Sequence, residues 1–185
     1  MKVKRRVEVE TNRPRIGDRI SFTLKTGEKI EAMAVKELTN GMVFCAVDYL
    51  DRAYPMNRNG GTYEGYEASD LRKELNGAIL DSFPENIRER LVPFDNGDLL
   101  TIPSEREMFG KNIYAKDDEG DVMQWEPMAD KHNRIALRND GVEWGWLRNV
   151  VTSMGFASCV ADNGNANYWY ALRPIGVRPV FILKI

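Results

Sequence analysis

Histidine is almost missing from this chain: among 185 residues there is only His132. A Ser-His-acid triad would have to run through that residue, and no nucleophile-elbow motif accompanies it. A lone histidine in a polar stretch reads as a surface residue. Cysteine is nearly as scarce. Cys45 and Cys159 stand far apart, outside any metal-ligand spacing, each inside an apolar strand-like run. That is the usual setting of an inert buried thiol, with a disulfide between them as the alternative. Stretches of the roughly 20 apolar residues that span a bilayer are lacking. So is a phosphate-cradling glycine loop followed by Lys-Ser/Thr. The polar run Val7-Glu-Val-Glu-Thr-Asn12 stands where a secretory signal would need its apolar core. These absences lead us to expect a soluble protein of the cytoplasm, or of a phage particle assembled there.

Charge of one sign is also lacking. A net charge of -2 gives no general attraction to nucleic acid or to an anionic membrane surface, so neither is expected as partner. The basic start, Lys2, Lys4, Arg5 and Arg6, is followed at once by Glu8 and Glu10 and reads as a solvated terminus. Hydrophobic residues at 43% and charged residues at 29% are the balance of a water-soluble domain with material for a core. Repeats and Pro/Gly/Ser linkers are absent. We therefore assign residues 1–185 to a single domain, with 1–16 as a flexible or peripheral N-terminal segment.

What is present orders itself as strands, helices, a loop-rich stretch, then strands. Ile20–Leu24 and Lys29–Val35 alternate apolar and polar residues around a Thr26-Gly27 turn. Asn40-Gly41 is a strong hairpin signal and leads into Met42–Val47, apolar on both faces and so expected to be buried. Ser69 can cap a helix carrying Leu71, Leu75, Ile79 and Leu80. Pro84 suits the first turn of a second, and Ser104-Glu-Arg-Glu107 is a capping box for a third. Residues 110–145 are polar and include the charged run Lys116–Asp121; such long segments are commonly functional or disordered. Strands are expected again at Trp146–Val150, Phe156–Ala161, Tyr168–Leu172 and Val177–Leu183. The order implies an α+β fold with a mostly antiparallel sheet, two or three short helices and long loops.

The ordered blocks Gly65–Asn76, Leu100–Glu107, Trp144–Arg148, Phe156–Val160 and Gly176–Pro179 resemble an uncharacterised bacterial and phage family, catalogued as a domain of unknown function. That family is distantly similar to C-type-lectin-like proteins, among them formylglycine-generating-enzyme relatives and the variable proteins of diversity-generating retroelements. The resemblance implies a C-type-lectin-like fold. Where relatives continue the Trp-Leu-Arg block with Ser-Pro, this chain has Asn149-Val150, so the turn after Arg148 is not carried over. Formylglycine-generating chemistry needs a close cysteine pair near the C-terminus, and here Cys159 stands alone in that half. The related iron-dependent sulfoxide synthesis needs several histidines. The expectation is therefore a domain that is not an enzyme.

The remaining chemistry lies in the aromatic and amide-rich C-terminal stretch. On an extended Asn167–Ala171, Tyr168 and Tyr170 share one face and Trp169 points to the other, which makes Trp169 the expected core residue and the tyrosines the display, with tyrosines that simply stabilise the sheet as the alternative. Asn163, Asn165 and Asn167 flank them. Tyr gives large contact area with few torsions to freeze, and Asn both donates and accepts. Trp146 joins them as a further ligand-binding candidate. Retroelement variable proteins place Asn- and Tyr-rich positions in a comparable region, as the resemblance implies. Asp162 is a weak calcium candidate, because Asp162–Asn167 concentrates oxygen donors; a hairpin turn explains the same residues. No other cofactor is expected. Arg178 reads as a buried guanidinium bonded to backbone carbonyls or to a carboxylate.

The functional expectation is a non-catalytic domain of bacterial or prophage origin, binding a protein or glycan like a receptor- or glycan-binding module, with oligomers allowed. The alternatives are an enzyme on a formylglycine-generating-enzyme-like scaffold, which stoichiometric copper, iron or zinc would favour, and a structural subunit of a phage or cell-surface assembly.

Overall fold

Strands β1 (Arg19–Thr23), β2 (Lys29–Leu38) and β3 (Gly41–Ala46) form an antiparallel meander in a computed structural model that describes residues 13–62, 64–116, 120–152 and 155–185. The basic start, most of the 1–16 segment and residues 117–119 of the charged run lie outside the described residues. Gly27, at φ 93°, makes the first turn, where a side chain would be strained. The second hairpin closes at Asn40-Gly41 with Leu38 opposite Gly41.

The last strand, β10 (Val180–Leu183), returns between β3 and the short β4 (Leu91–Val92), giving the five-stranded order β1-β2-β3-β10-β4. Because β3 and β10 are buried on both faces, their residues alternate between two cores. Phe44 and Phe181 point to one, with Phe22 and Phe83 packed around Phe181 at centroid distances of 5.9 and 5.7 Å. Val43, Cys45, Val180 and Ile182 point to the other, which Met108, Trp125 and Met128 complete.

The first core is covered by a helical run. Helix α1 (Asp70–Glu74) widens into a π turn (Leu75–Ile79), continues as α2 (Leu80–Ser82), and is followed by α3 (Glu85–Arg88). Leu71, Leu75 and Ile79 are its buried stripe. Ser69 caps α1 by accepting from the Arg72 N–H at 3.0 Å. Gly77, with non-helical torsions, takes up the irregularity. Asn76 ties this run to the next: its amide oxygen accepts from the N–H groups of Leu99 and Leu100, and its nitrogen donates to the Leu100 carbonyl.

Helix α4 (Glu105–Phe109) begins with the capping box that Ser104 and Glu107 announce. The Glu107 carboxylate also accepts from Arg148 at 2.5 Å, and the Asn149 amide oxygen accepts from the Glu105 N–H at 2.7 Å. Asn149 therefore has a definite job in this chain: buried on the strand, it caps the helix. Ser104→Ala should lower unfolding stability by about 1 kcal/mol, read as a shifted urea midpoint at unchanged slope.

The stretch expected to be irregular carries short 3-10 turns (Glu126–Ala129 and Lys131–Arg134) and a two-stranded hairpin, β5 (Leu137–Arg138) with β6 (Gly141–Val142). Its turn residues Asn139 and Asp140 both have positive φ, the geometry of a two-residue hairpin loop. A three-stranded antiparallel sheet follows: β7 (Gly145–Thr152), β8 (Phe156–Val160) and β9 (Ala166–Tyr170). Together these elements make an α+β protein with mostly antiparallel sheets. No helix among the described residues is long and apolar enough to cross a membrane.

Candidate functional site

The β8–β9 hairpin turns at Asn163-Gly164, with Gly164 at φ 75° and its N–H donating to the Ala161 carbonyl at 2.8 Å. Register then decides the rest. Phe156 lies opposite Tyr170 and Ser158 opposite Tyr168, so these residues share a face; Ala157 lies opposite Trp169 on the other. On the first face the rings touch in series. Tyr114, from the loop after α4, meets Tyr168 edge-on at 5.0 Å; Tyr168 meets Phe156 at 5.5 Å, and Phe156 meets Tyr170 at 4.3 Å. On the second face Trp169 meets Trp144 at 5.0 Å. These spacings are those of favourable aromatic pairs, which hold the rings in place while leaving their outer surfaces open.

Tyr168 is 40% and Tyr170 55% exposed, as display requires. Two expectations are corrected. Trp169 is not a core residue: it is 41% exposed, because β9 is the outer strand of its sheet and only β8 lies beside it. Trp146 is not available to a ligand. It is 1% exposed, packs in the first core, and donates its indole N–H to the Tyr54 carbonyl at 2.7 Å. The side chain that its neighbour Trp144 contributes is the one that reaches the surface pair.

The asparagines divide. Asn163 and Asn165 are exposed at the hairpin tip, with the Asn163 side chain accepting from the Asn165 N–H at 3.0 Å. Asn167 is half-buried and accepts from the Tyr168 N–H at 2.9 Å. Both bonds are local turn and edge chemistry. The residues Asp162, Asn163, Asn165 and Asn167 thus lie along one hairpin, but the oxygens of Asn163 and Asn167 are already engaged by their own chain. No group of three or more His, Cys, Asp or Glu side chains placed to hold a metal occurs among the described residues.

Sequence reasoning passes over Tyr114 and Phe156 and reads Glu105 only as helix-capping chemistry. Glu105 is completely buried, and its carboxylate accepts from the N–H groups of Ile113 (2.7 Å), Tyr114 (3.2 Å) and Ala115 (3.1 Å). Successive N–H groups converging on one anion make a nest; here it fixes the loop that presents Tyr114. The available signal was the apolar pair Ile113-Tyr114 inside an otherwise polar stretch.

The candidate reactive groups are placed as follows. Cys45 and Cys159 are buried free thiols, and burial pushes the Cys159 thiol up to about 12, which suppresses the nucleophilic thiolate. His132 is exposed, its Nδ1 3.0 Å from Asp130. Arg178 is buried, donating from Nε to the Ala46 carbonyl at 2.7 Å and from Nη1 to that of Asn133 at 3.1 Å. Its structural role matches the expectation.

No family model, curated protein or solved structure matches this chain. The site must be read from its own geometry.

Proposed function

We propose that this chain is a non-catalytic binding domain with a C-type-lectin-like arrangement, and that the exposed rings on and around β9 are its ligand surface. The observation that carries this reading is the continuous series Tyr114–Tyr168–Phe156–Tyr170, partly open to solvent and assembled from two distant parts of the chain. Trp169, on the opposite face of the same strand, and Leu172 are also exposed and give the strand apolar surface on both sides. Exposed apolar area of this kind, on a rigid strand, marks interaction sites more often than isolated surface residues do. The return of the last strand into the N-terminal sheet, with a long loop stretch preceding the aromatic sheet, supports the C-type-lectin-like reading. Protein and glycan ligands both suit the rings.

The test compares wild type with Tyr168→Ala/Tyr170→Ala on a glycan array and against a panel of purified bacterial surface proteins. At least a tenfold loss of affinity is expected, since each truncated aromatic anchor costs about 1–2 kcal/mol. Retention equal to wild type, with the variant's urea midpoint little changed, removes the surface from consideration.

A further inference from the structure

The backbone of β9 points to a more specific ligand class at the proposed binding surface. The Ala171 N–H donates to the Gly155 carbonyl, and the Ala161 N–H to the Asn165 carbonyl, both at 2.8 Å. Between these bonds lie the pairs Ala157↔Trp169 and Cys159↔Asn167. The alternation of an antiparallel ladder therefore turns the backbone groups of Asn167 and Trp169 toward β8, and those of Ala166, Tyr168 and Tyr170 outward. Two of the outward groups are used locally: the Tyr168 N–H by Asn167, and the Tyr170 carbonyl by the Arg173 N–H. The Ala166 N–H and carbonyl, the Tyr168 carbonyl and the Tyr170 N–H have no partner among the described residues.

Natural sheet edges are blunted by charge, proline, bulges, brevity or cover. The other edges here are. β1 carries Arg19 in an ion pair with Glu31, and β4, β5 and β6 have two residues each. β7 has irregular register, and its Trp146 and Arg148 N–H groups are covered by the carbonyls of Gly176 and Pro103. β9, Ala-Asn-Tyr-Trp-Tyr, has no charge and no proline, and its register with β8 is unbroken.

We infer that β9 binds an extended segment of a partner polypeptide by strand addition, the ligand's backbone bonding to Ala166, Tyr168 and Tyr170 while its alternate side chains lie against the tyrosine series on one face and Trp169 on the other. This rests on the ring surface proposed above and gives it a ligand class. Backbone pairing supplies affinity in such complexes, and the flanking side chains supply selectivity. A second copy of the chain fits less well. A five-residue edge is roughly 17 Å long and a sheet layer roughly 10 Å thick, so two β9 edges would bury roughly 350 Å² in total. A stable interface needs about 1,000 Å². A peptide escapes that limit, because each of its residues can also pack on the rings.

Ala166→Pro isolates the backbone contribution. It deletes an outward N–H, leaves every ring in place, and sits at the start of an edge strand, where proline is tolerated. Random twelve-residue peptides displayed on phage would be selected on the full chain, and the selected peptides titrated by fluorescence anisotropy. Sequences with alternating apolar residues are expected. Ala166→Pro should weaken them about tenfold, as should N-methylation of alternate peptide amides, which does not depend on the variant's folding. Peptides that bind Ala166→Pro as tightly as wild type and tolerate N-methylation overturn strand addition but leave the ring surface standing. Glycan binding without any peptide selected, or a dimer of the free chain that Ala166→Pro abolishes, also overturns it. Peptides lost with Ala166→Pro but kept by Tyr168→Ala/Tyr170→Ala would uphold the edge and sink the ring reading.

Discussion

Gly176→Ala is expected to destabilise the protein by about 3 kcal/mol or more, through overpacking at a place that cannot relax. A β-carbon at position 176 would lie 2.4 Å from Cγ of Tyr49 and 2.6 Å from its Cδ2, and one at Gly145 would lie 2.1 Å from its Cε1. The Tyr49 ring lies against both glycines, which face each other as an isolated parallel bridge. That bridge holds two backbone bonds, Trp146 N–H to the Gly176 carbonyl at 2.9 Å and Gly176 N–H to the Trp144 carbonyl at 2.8 Å. Moving the ring means moving the joint between β7 and the segment entering β10. Tyr49→Ala alone should cost about 3–5 kcal/mol as a cavity. In that background Gly176→Ala should cost little, since its new methyl enters vacated space. The resulting coupling, read from a double-mutant cycle in urea, is the decisive quantity. Independent, additive costs would refute the wedge. Tyr49→Phe is the control. The buried hydroxyl has no hydrogen-bond partner among the described residues, so its removal should be near neutral.

This packing explains why glycine-containing blocks around Trp144–Arg148 and Gly176–Pro179 stand out in the sequence: they are two sides of one joint. Much of the fold was legible in the same way. Asn40-Gly41, Ser69, the Ser104–Glu107 box and the two-faced apolar run of β3 act through local chemistry, and local chemistry is written in adjacent residues. Trp169 and Trp146 were misplaced because burial on a strand depends on what lies beside it. Alternation correctly set Trp169 opposite the tyrosines, but it carries no information about which strand ends up outermost. Tyr114 was hidden for a related reason. It reaches Tyr168 from more than fifty residues away, and only the folded loop joins them. Asn163, Asn165 and Asn167 illustrate a third limit. Their composition suits a ligand surface and a hairpin turn equally, and the bonds of Asn163 and Asn167 are those of turn and edge.

Glu105→Ala should cost about 3 kcal/mol or more and should undo the loop that carries Tyr114. At sequence level Glu105 is one of two acidic residues in the first turn of a helix, where a charge contributes about 0.5 kcal/mol through the dipole. Its burial changes that scale. The carboxylate is the acceptor for the N–H groups of Ile113, Tyr114 and Ala115, and bonds to a charged group are worth about 1.5–3 kcal/mol each when a partner is deleted. Glu105→Gln keeps the volume but turns an amide nitrogen toward donors, so it should recover only part of the loss. Hydrogen exchange separates this from ordinary helix weakening. Ser104→Ala, one residue away, should leave the amides of residues 113–115 protected, whereas Glu105→Ala should expose them at conditions where the central sheet stays protected. Uniform exchange across all these amides would mean that Glu105 supports the fold generally. Selective exchange at 113–115, with weakened Tyr114–Tyr168 contact, would show that a buried charge holds one edge of the aromatic surface in place.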